Sequence, residues 1–140
     1  MANYRKKRRN KFNNVRCEFD GLKFDSKKEM ERYKFLLEKK AEGVIYDLVV
    51  HPRFPFILPD GRKVLIKGEK RNTCARYTAD FSYYLSKDGP FKAKEGRYVV
   101  EDMKSPATAK EGQFKLRRAV FELIYGVDLE LVYKVSEWKW

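Results

Sequence analysis

The chain has 140 residues, of which 32 are Lys or Arg and 20 are Asp or Glu, so its formal net charge is +12. This length suits one domain with one core, and 10 Phe, 9 Tyr and 2 Trp argue against a disordered chain. The positive excess indicates a polyanionic partner, nucleic acid above all, with an ordinary basic surface as the alternative. Because no apolar run reaches membrane-spanning length or forms a signal-peptide core, we expect a soluble, cytoplasmic protein without a membrane partner. Cys17 and Cys74 are too far apart to indicate a zinc knuckle or a disulfide framework.

Residues 1–14 form a basic tail without any acidic residue. Its cations are Arg5, Lys6, Lys7, Arg8, Arg9 and Lys11. The segment has too few apolar residues to order itself, so we expect it to stay flexible until it meets phosphate. A localisation signal is the alternative use of such a cluster. We therefore divide the chain into this tail and a single domain over residues 15–140.

The first helix is predicted to open at Ser26-Lys27-Lys28-Glu29 and to end near Ala41. Ser26 and Glu29 match a capping box, in which the glutamate side chain reaches back to the cap amide. Glu29 also shares a helix face with Tyr33 and Leu36, where a carboxylate is costly unless a cation meets it. A capping role and a functional-site role for Glu29 both remain open, and they do not exclude one another.

Several short strands are predicted in the middle of the chain. Apolar residues from Tyr46 to Leu58 favour strands, Pro59-Asp60-Gly61 favours a turn, and Val64-Leu65-Ile66 is the expected returning arm. The segment from Lys67 to Thr73 is predicted to be a loop. His51 has no second histidine or paired cysteine near it, so we interpret it as a structural or surface residue. The cations of the loop are candidate contacts to nucleic acid: Lys67, Lys70 and Arg71.

A clearly alternating strand is predicted from Arg76 to Leu85. Its apolar face would carry Tyr77, Ala79, Phe81, Tyr83 and Leu85. Asp80 then falls in mid-strand on the other face, where aspartate is disfavoured. Because the nearest turn signal lies well downstream, at Asp88-Gly89-Pro90, we interpret Asp80 as a functional-site residue. The segment from residue 87 to residue 97 is the expected hairpin loop.

The next strand begins near Tyr98 and ends before Ser105-Pro106. Since alternate side chains share a face, Asp102 and Lys104 should point to one side of the sheet and Glu101 to the other. A carboxylate and an ammonium held side by side suit metal-assisted attack on a phosphodiester. The Asp-x-Lys pattern alone is weak, because it is frequent by chance.

A second helix is predicted after Pro106, with Thr108 and Glu111 as its capping box and Gly126 at its end. Its expected core stripe consists of Leu116, Ala119, Val120, Leu123 and Ile124. Gln113 would lie at the helix end nearest Lys104. The outward cations are candidate phosphate contacts or an ordinary solvated face: Lys110, Lys115, Arg117 and Arg118. A last strand is expected from Leu129 to Val135.

This order of elements, with its acids and its lysine, resembles the PD-(D/E)XK nuclease superfamily, and within it the small phage-encoded endonucleases that include junction-resolving enzymes. The residues that carry the resemblance are Tyr77-Thr78-Ala79-Asp80-Phe81, Asp102-Met103-Lys104 and Ser26-Lys27-Lys28-Glu29. It covers about residues 24–135. The chain departs from the family pattern at Ala79, where a proline is expected, and at Ser105, where a glycine is frequent. Neither residue is a metal ligand.

The resemblance implies an α/β (α+β) fold with a restriction-endonuclease-like core, in which helices flank a mixed β-sheet in α-β-β-β-α-β order. It implies a metal-dependent endodeoxyribonuclease, and branched or junction DNA in phage DNA recombination is one substrate that it suggests. Asp80, Asp102 and Glu29 would bind Mg²⁺, for which Mn²⁺ can substitute. Lys104 would orient or activate the attacking water, and Gln113 would be an auxiliary positioner. Glu101 offers a competing register, but its i+2 residue is a methionine.

Two other classes of protein remain open. A non-catalytic basic nucleic-acid-binding protein would account for the charge but not for Asp80 and Asp102. An RNA-directed or purely structural phage factor is the second alternative. If the protein is a nuclease, its expected partner is double-stranded or branched DNA. Junction resolution would favour a homodimer, because two symmetric cuts need two sites.

Overall fold

The computed structural model describes residues 16–86 and 96–140. The predicted tail contacts Arg5, Lys6, Lys7, Arg8 and Arg9 lie outside the described residues, as do residues 87–95 of the predicted hairpin loop. The strands are β1 Cys17–Phe19, β2 Leu22–Phe24, β3 Ile45–Val50, β4 Arg53–Pro55, β5 Leu65–Lys67, β6 Asn72–Cys74, β7 Arg76–Thr78, β8 Phe81–Leu85, β9 Tyr98–Met103 and β10 Leu129–Val132. The helices are α1 Lys27–Ala41, α2 Pro106–Ala109 and α3 Gly112–Tyr125.

The chain has a mixed α+β fold built on a four-stranded sheet with the order β10-β9-β8-β3. β3, β8 and β9 are antiparallel neighbours, and β10 pairs with β9 in parallel. The connection from β9 to β10 runs through α2 and α3, as a parallel pair requires a crossover. The elements that form or cover this sheet therefore follow the order α1, β3, β8, β9, α3, β10.

The two faces of the sheet are covered by different helices. Val99 packs with Tyr33 and Leu36 of α1, whereas its neighbour Val100 packs with Phe121 of α3. This division follows from the two-residue period of a strand, which sends successive side chains to opposite faces. The prediction that β9 presents two different faces is confirmed.

Helix α1 begins and ends where the sequence predicts. Ser26 is its N-cap, and the Ser26 hydroxyl accepts a hydrogen bond from the Glu29 amide at 3.2 Å. Glu42 is the C-cap, followed by Gly43 at φ +75°. The helix buries Tyr33 and Leu36 together with a charged residue, Arg32, on the face toward the sheet.

An insertion between β3 and β8 carries four further strands. β4 pairs with β7, and β5 pairs with β6. The predicted turn at residues 59–61 is confirmed, since the Gly61 amide donates to the Leu58 carbonyl and Ile57 bridges Lys63. The prediction of a loop from Lys67 to Thr73 is wrong in part: Lys67 ends β5 and faces Asn72 at the start of β6. Backbone pairing with an apolar neighbouring strand outweighs the polar composition of this segment.

The predicted strand from Arg76 to Leu85 is interrupted at Ala79–Asp80, so the mid-strand position expected for Asp80 is wrong. β7 pairs with β4, whereas β8 pairs with β3 and β9, and the chain changes partners between them. At the change, the Asp80 carbonyl accepts from the His51 amide at 2.9 Å. All five residues of the predicted apolar face are buried, but they do not share one face: Tyr77 and Ala79 pack in the core beneath α3, whereas Phe81, Tyr83 and Leu85 pack in the core beneath α1.

The region after Pro106 corrects two further predictions. It forms two helices instead of one, and the expected Thr108–Glu111 capping box is absent: Ser105 caps α2, and Glu111 precedes α3 without a side-chain cap bond. The predicted core stripe is wrong in part, because Val120 and Ile124 pack against the core but its two leucines do not. Leu116 and Leu123 are 67% and 84% exposed.

The buried side of α3 consists of its aromatic residues. Phe114 and Phe121 are buried, and the Phe121 ring contacts Phe54 and Tyr77 at centroid distances of 4.8 and 5.5 Å. Gly126 ends the helix in the left-handed conformation at φ 64°, as predicted. The last strand is shorter than expected and stops at Val132. Within the described residues, no helix is both long and apolar enough to cross a membrane.

Candidate functional site

Two aspartates meet where β8 begins and β9 ends: Asp80 lies in the interruption just before β8, and Asp102 is the penultimate residue of β9. Asp102 Oδ1 accepts a hydrogen bond from the Asp80 amide at 2.7 Å, and Asp80 Oδ2 accepts one from the Met103 amide at 2.7 Å. Each side chain thus binds the backbone of the other acid's segment. The interruption of the strand at Asp80 is what leaves its amide available to a side chain instead of to a β-ladder partner.

Lys104 lies beside the second aspartate. Its Nζ is 3.5 Å from Asp102 Oδ2, and the ammonium lies over the Phe114 ring at 4.7 Å from the centroid. Asp102 is 1% exposed, whereas the Lys104 side chain is 21% exposed. The lysine therefore connects a buried acid to the surface of the protein.

Tyr77 is a member of this cluster that the sequence analysis placed only in the core. The Tyr77 hydroxyl donates to Asp102 Oδ2, the same oxygen that Lys104 approaches. No sequence pattern joins two residues that are 25 positions apart, so only the alternation that turns Tyr77 inward was visible. Its hydroxyl supplies a partner for a carboxylate that would otherwise be buried at a high cost.

Glu29 has a buried oxygen without a partner. Its Oε2 lacks a hydrogen bond to any of the described residues, and Nε2 of His51 is 3.9 Å away. A lone carboxylate oxygen away from water is unfavourable unless a cation or a proton reaches it. The prediction that Glu29 is more than a cap residue remains a prediction.

Burial is the largest cause of the raised pKa values of the three acids, and repulsion by the two aspartates adds to it at Glu29. Burial, followed by repulsion from Asp80 and Asp25, raises the pKa of Glu29 to about 8. Burial raises the pKa of Asp80 to about 6, although the Met103 amide and Lys104 lower it. Burial likewise raises the pKa of Asp102 to about 6 against the lowering effect of Lys104. Without a further cation, the cluster binds protons more readily than isolated carboxylates do.

The acids provide the oxygen donors that a hard divalent cation prefers. Their side chains, however, are not spaced as the ligands of one metal ion are. Mg²⁺ takes carboxylate oxygens and water, and the partnerless oxygen of Glu29 is such a donor. Among residues 16–86 and 96–140, however, no group of three or more His, Cys, Asp or Glu side chains is spaced as a metal site. The reason lies in the bonding of the aspartates, whose oxygens are turned toward backbone amides and toward Tyr77.

His51 lies closer to the acids than the sequence predicted. Its backbone has φ +52°, a region that non-glycine residues seldom adopt and that is common at functional sites. The backbone bond to Asp80 and the 3.9 Å separation from Glu29 place His51 between two of the candidate acids. A single histidine without a metal-binding partner in sequence carried no signal for this position.

Glu101 belongs to the opposite face of the sheet. Its carboxylate binds Arg32 through two bonds, Nε to Oε1 at 2.8 Å and Nη2 to Oε2 at 2.9 Å, and the Tyr83 hydroxyl donates to Oε2 at 2.9 Å. Arg32 and Glu101 are each 1% exposed. This acid is therefore fully occupied by a buried ion pair, apart from the Asp102 cluster.

The predicted auxiliary residue Gln113 lies on the first turn of α3 and is exposed. It lines a cleft of about 800 Å³ together with Lys104 and Arg117. The other predicted contacts Lys67, Lys70, Arg71, Lys110 and Lys115 are exposed as well. Arg118 is a correction, because it is half-buried and its Nη2 donates to the Leu129 carbonyl at 2.9 Å. Its guanidinium holds α3 against β10 instead of projecting outward.

The protein thus has a mixed α+β fold in which two aspartates, each bound to a backbone amide near the other, and a lysine lie together at the end of strand β9. The chain belongs to the family described as "Protein of unknown function (DUF1064)", whose pattern matches residues 9–140. No curated protein matches the chain, and no solved structure does. The resemblance to nucleases thus remains a prediction from the residues themselves.

Proposed function

We propose that this protein is a metal-dependent endodeoxyribonuclease that hydrolyses phosphodiester bonds of DNA at the Asp80–Asp102–Lys104 cluster. The observation that carries the proposal is the position of Lys104 Nζ, 3.5 Å from a buried aspartate that is itself bound to the amide of a second aspartate. An ammonium beside two buried acids is an arrangement that phosphodiester hydrolysis can use, since it combines cation-binding oxygens with a positive charge.

The order of the elements supports the proposal at the level of the fold. A helix, three antiparallel strands, a helix and a parallel strand follow one another as in the α-β-β-β-α-β restriction-endonuclease-like core. The insertion between β3 and β8 is an addition to that order. A fold alone does not establish an activity, so the proposed nuclease activity rests on Asp80, Asp102 and Lys104.

Asp80, Asp102 and Glu29 are the residues that would hold Mg²⁺ or Mn²⁺. A bound divalent cation would supply Lewis-acid stabilisation of the charge that develops on the scissile phosphate. A backbone amide holds one oxygen of each aspartate, which leaves Oδ1 of Asp80 and Oδ2 of Asp102 as the oxygens that would have to turn toward a cation. The raised pKa values of all three acids mean that their charged forms are disfavoured, and a divalent cation bound beside them would stabilise those charged forms.

Lys104 has the role of a positively charged positioning group. Its side chain reaches from the cluster to the cleft surface, where it can orient the attacking water and offset the charge of the phosphate. The Phe114 ring beneath the ammonium limits its directions of approach. Gln113, on the same side of the cleft, is an auxiliary positioner of substrate.

Affinity for DNA would come mainly from exposed cations. The candidates in the described chain are Lys67, Lys70, Arg71, Lys110, Lys115 and Arg117. Contacts of this kind bind the sugar–phosphate backbone without reading sequence, and they weaken steeply with salt. Branched or junction DNA is the substrate that we propose to test first, and two symmetric cuts in such a substrate would require a homodimer.

The decisive experiment is a cleavage assay on supercoiled plasmid, branched DNA and RNA, each with Mg²⁺ and with chelator. We expect cleavage of DNA that requires Mg²⁺ and leaves 5′-phosphate and 3′-hydroxyl ends. Cleavage of RNA alone would favour an RNA-directed factor, and binding without cleavage a non-catalytic nucleic-acid-binding protein. Activity that survives Asp102→Ala or Lys104→Ala would refute the assignment of the site.

A further inference from the structure

The 800 Å³ cleft lies beside the acid cluster and is walled by two parts of the chain outside the four-stranded sheet. Ile66 and Thr73 of the β5–β6 hairpin form one wall, and residues of α2 and α3 form the other. Tyr77 and Lys104 line the cleft and also contact Asp102. The cleft and the candidate site therefore share two side chains.

The cleft is positively charged. Arg76, Lys104 and Arg117 contribute three cations, whereas Glu111 is the one acid among the described residues that line it. Arg76 and Arg117 come from different elements, β7 and α3, and both are exposed. Positive charge inside a concavity attracts an anionic chain more strongly than the same charge on a flat surface.

Apolar side chains accompany these cations. Tyr77 and Phe114 are 5% and 7% exposed on the side of the cleft that adjoins the core. On the hairpin wall, Ile66 is 54% exposed. Ile66 offers apolar surface to a cleft that also carries cations, so a ligand with apolar surface as well as negative charge would suit this wall.

An unpaired DNA strand has this combination of surfaces. In a duplex, the base faces are stacked within the helix and the phosphates lie outside, so a duplex would offer only anionic surface to the wall. A single strand presents phosphates and base faces together, and grooves that bind it combine cations with apolar contacts.

We infer that the cleft between the β5–β6 hairpin and α3 binds an unpaired DNA strand, with Arg76 and Arg117 on its phosphates and Ile66 against its bases. The inference deepens the proposed nuclease function and rests on it for the direction of the strand toward Lys104. The substrate class would then be DNA with a single-stranded segment next to the scissile bond, such as a flap, a gap or an open branch.

The test measures equilibrium binding by fluorescence anisotropy in chelator, so that no cleavage occurs. The probes are a labelled thymidine homopolymer of about 20 nucleotides, longer than the ~4–16 nucleotides that one compact domain covers, and a duplex of the same length. For the Arg76→Gln/Arg117→Gln double variant, we expect the affinity for the single strand to fall at least about ten-fold. Its dependence on log salt should decrease by about 1.4, or about 0.7 for each lost phosphate contact.

A Lys40→Gln/Lys134→Gln double variant is the matched control, because it removes two exposed charges from residues outside the cleft. It should change single-strand affinity less than about two-fold. The apolar contact has its own variant: Ile66→Ser should weaken single-strand binding about five-fold and leave the salt dependence unchanged, since no charge is lost. Duplex binding by Ile66→Ser should equal that of the parent protein.

The inference is overturned if the arginine variant loses no more single-strand affinity than the lysine control, or if Ile66→Ser weakens both probes equally. Tenfold tighter binding of a uridine homopolymer than of the thymidine probe would overturn the assignment to DNA. Because binding is read without metal, the two proposals fail separately. If the protein binds the single strand through these residues but does not cut DNA, the inference about the cleft stands and the proposed nuclease activity is contradicted.

Discussion

Asp102 accepts the backbone amide of Asp80, and Asp80 accepts the backbone amide of Met103, both at 2.7 Å. Two acids 22 positions apart are thus joined because each carboxylate accepts a backbone amide of the segment that carries the other, Asp80 itself in one case and Met103 in the other. This reciprocal bonding ties the interruption before β8 to the end of β9. It also means that one carboxylate cannot move without disturbing the segment that carries the other.

Replacing Asp80 by asparagine removes the negative charge of this side chain without removing its hydrogen bond to the Met103 amide. In Asp80→Asn the amide oxygen can still accept the Met103 amide, so the fold should be kept, but one cation-binding oxygen and one negative charge are lost. We expect plasmid cleavage to fall by more than about 100-fold, since changes in residues that merely support metal ligands already cost about 10–100-fold. DNA affinity at low salt should be equal or higher, because repulsion of phosphate decreases.

Cleavage of supercoiled plasmid in Mg²⁺ and anisotropy in chelator measure the two quantities. Asp128→Asn is the control, since this exposed aspartate immediately precedes β10 and its replacement makes the same change in charge. A folded Asp80→Asn protein that cuts at the parental rate would remove Asp80 from the site.

Lys104→Gln tests the cation of the cluster. The glutamine keeps much of the side-chain volume over Phe114 but removes the ammonium 3.5 Å from Asp102. We expect the cleavage rate to fall by about 10²–10³-fold, the range found when one stabilising group is removed from an active site. Single-turnover cleavage rates at saturating protein measure this effect apart from DNA affinity.

Lys134→Gln, an exposed lysine near the end of β10, is the matched variant for Lys104→Gln and should cleave at the parental rate. Equal single-turnover rates for the two variants would show that the ammonium of Lys104 has no part in the reaction.

Much of the fold was predictable wherever local chemistry decides it. Ser26 caps α1 because its hydroxyl binds an amide three residues on, and the sequence shows that spacing directly. The opposite orientations of Glu101 and Asp102 follow from the two-residue period of β9. These features depend on neighbours in sequence, so one sequence is enough to recover them.

Features that depend on distant partners were not predictable. In α3, the leucines at 116 and 123 have the spacing of a core stripe, yet the helix turns Phe114 and Phe121 inward, since Phe54 and Tyr77 on the insertion offer a larger aromatic surface. The break at Asp80 likewise depends on a side chain of β9.

The candidate site divides in the same way. Asp80 could be selected because aspartate is disfavoured in mid-strand, and Asp102 and Lys104 because alternation along a strand places a carboxylate and an ammonium on the same side. Tyr77 and His51 could not, since a tyrosine on an apolar face and a lone histidine have ordinary structural explanations. Their relation to the acids arises only when the insertion folds against the sheet.

The pH dependence of stability follows from Glu29. Its pKa is raised from 4.5 to about 8 on folding, so the folded state binds the proton more tightly than the unfolded state does. Stability from this group is therefore complete below pH 4.5 and is lost as pH rises toward 8. The pKa values of Asp80 and Asp102 are raised from 3.8 to about 6, so the stability that these two groups contribute is lost at lower pH, as pH rises toward 6.

In chelator, we expect the melting temperature of the parent protein to fall as pH rises from 6 to 8, and Glu29→Gln to remove most of that decrease. Added Mg²⁺ should raise the melting temperature of the parent at pH 8 more than that of the variant, because a ligand stabilises the state that binds it. Glu38→Gln, an exposed change on the same helix, is the control. A parental slope in Glu29→Gln would contradict the assignment.

Neighbouring acids of β9 should respond in opposite ways to the same substitution. Glu101→Gln leaves Arg32 charged and buried with a neutral partner, and removing one partner of a buried ion pair costs about 3–5 kcal/mol in free energy of unfolding. Its cleavage rate, measured well below its melting temperature, should stay within a few-fold of the parent. Asp102→Asn should lower cleavage by more than about 100-fold, since this acid lies beside Lys104.

Denaturant titration and plasmid cleavage, applied to both variants, separate stability from chemistry. Arg32→Met is the companion to Glu101→Gln, and the cost of the double variant should be less than the sum of the single costs because the two residues share one ion pair. If folded Glu101→Gln lost cleavage as completely as Asp102→Asn, the Glu101 register would have to be considered again. If both variants kept it, neither face of β9 would carry the reaction.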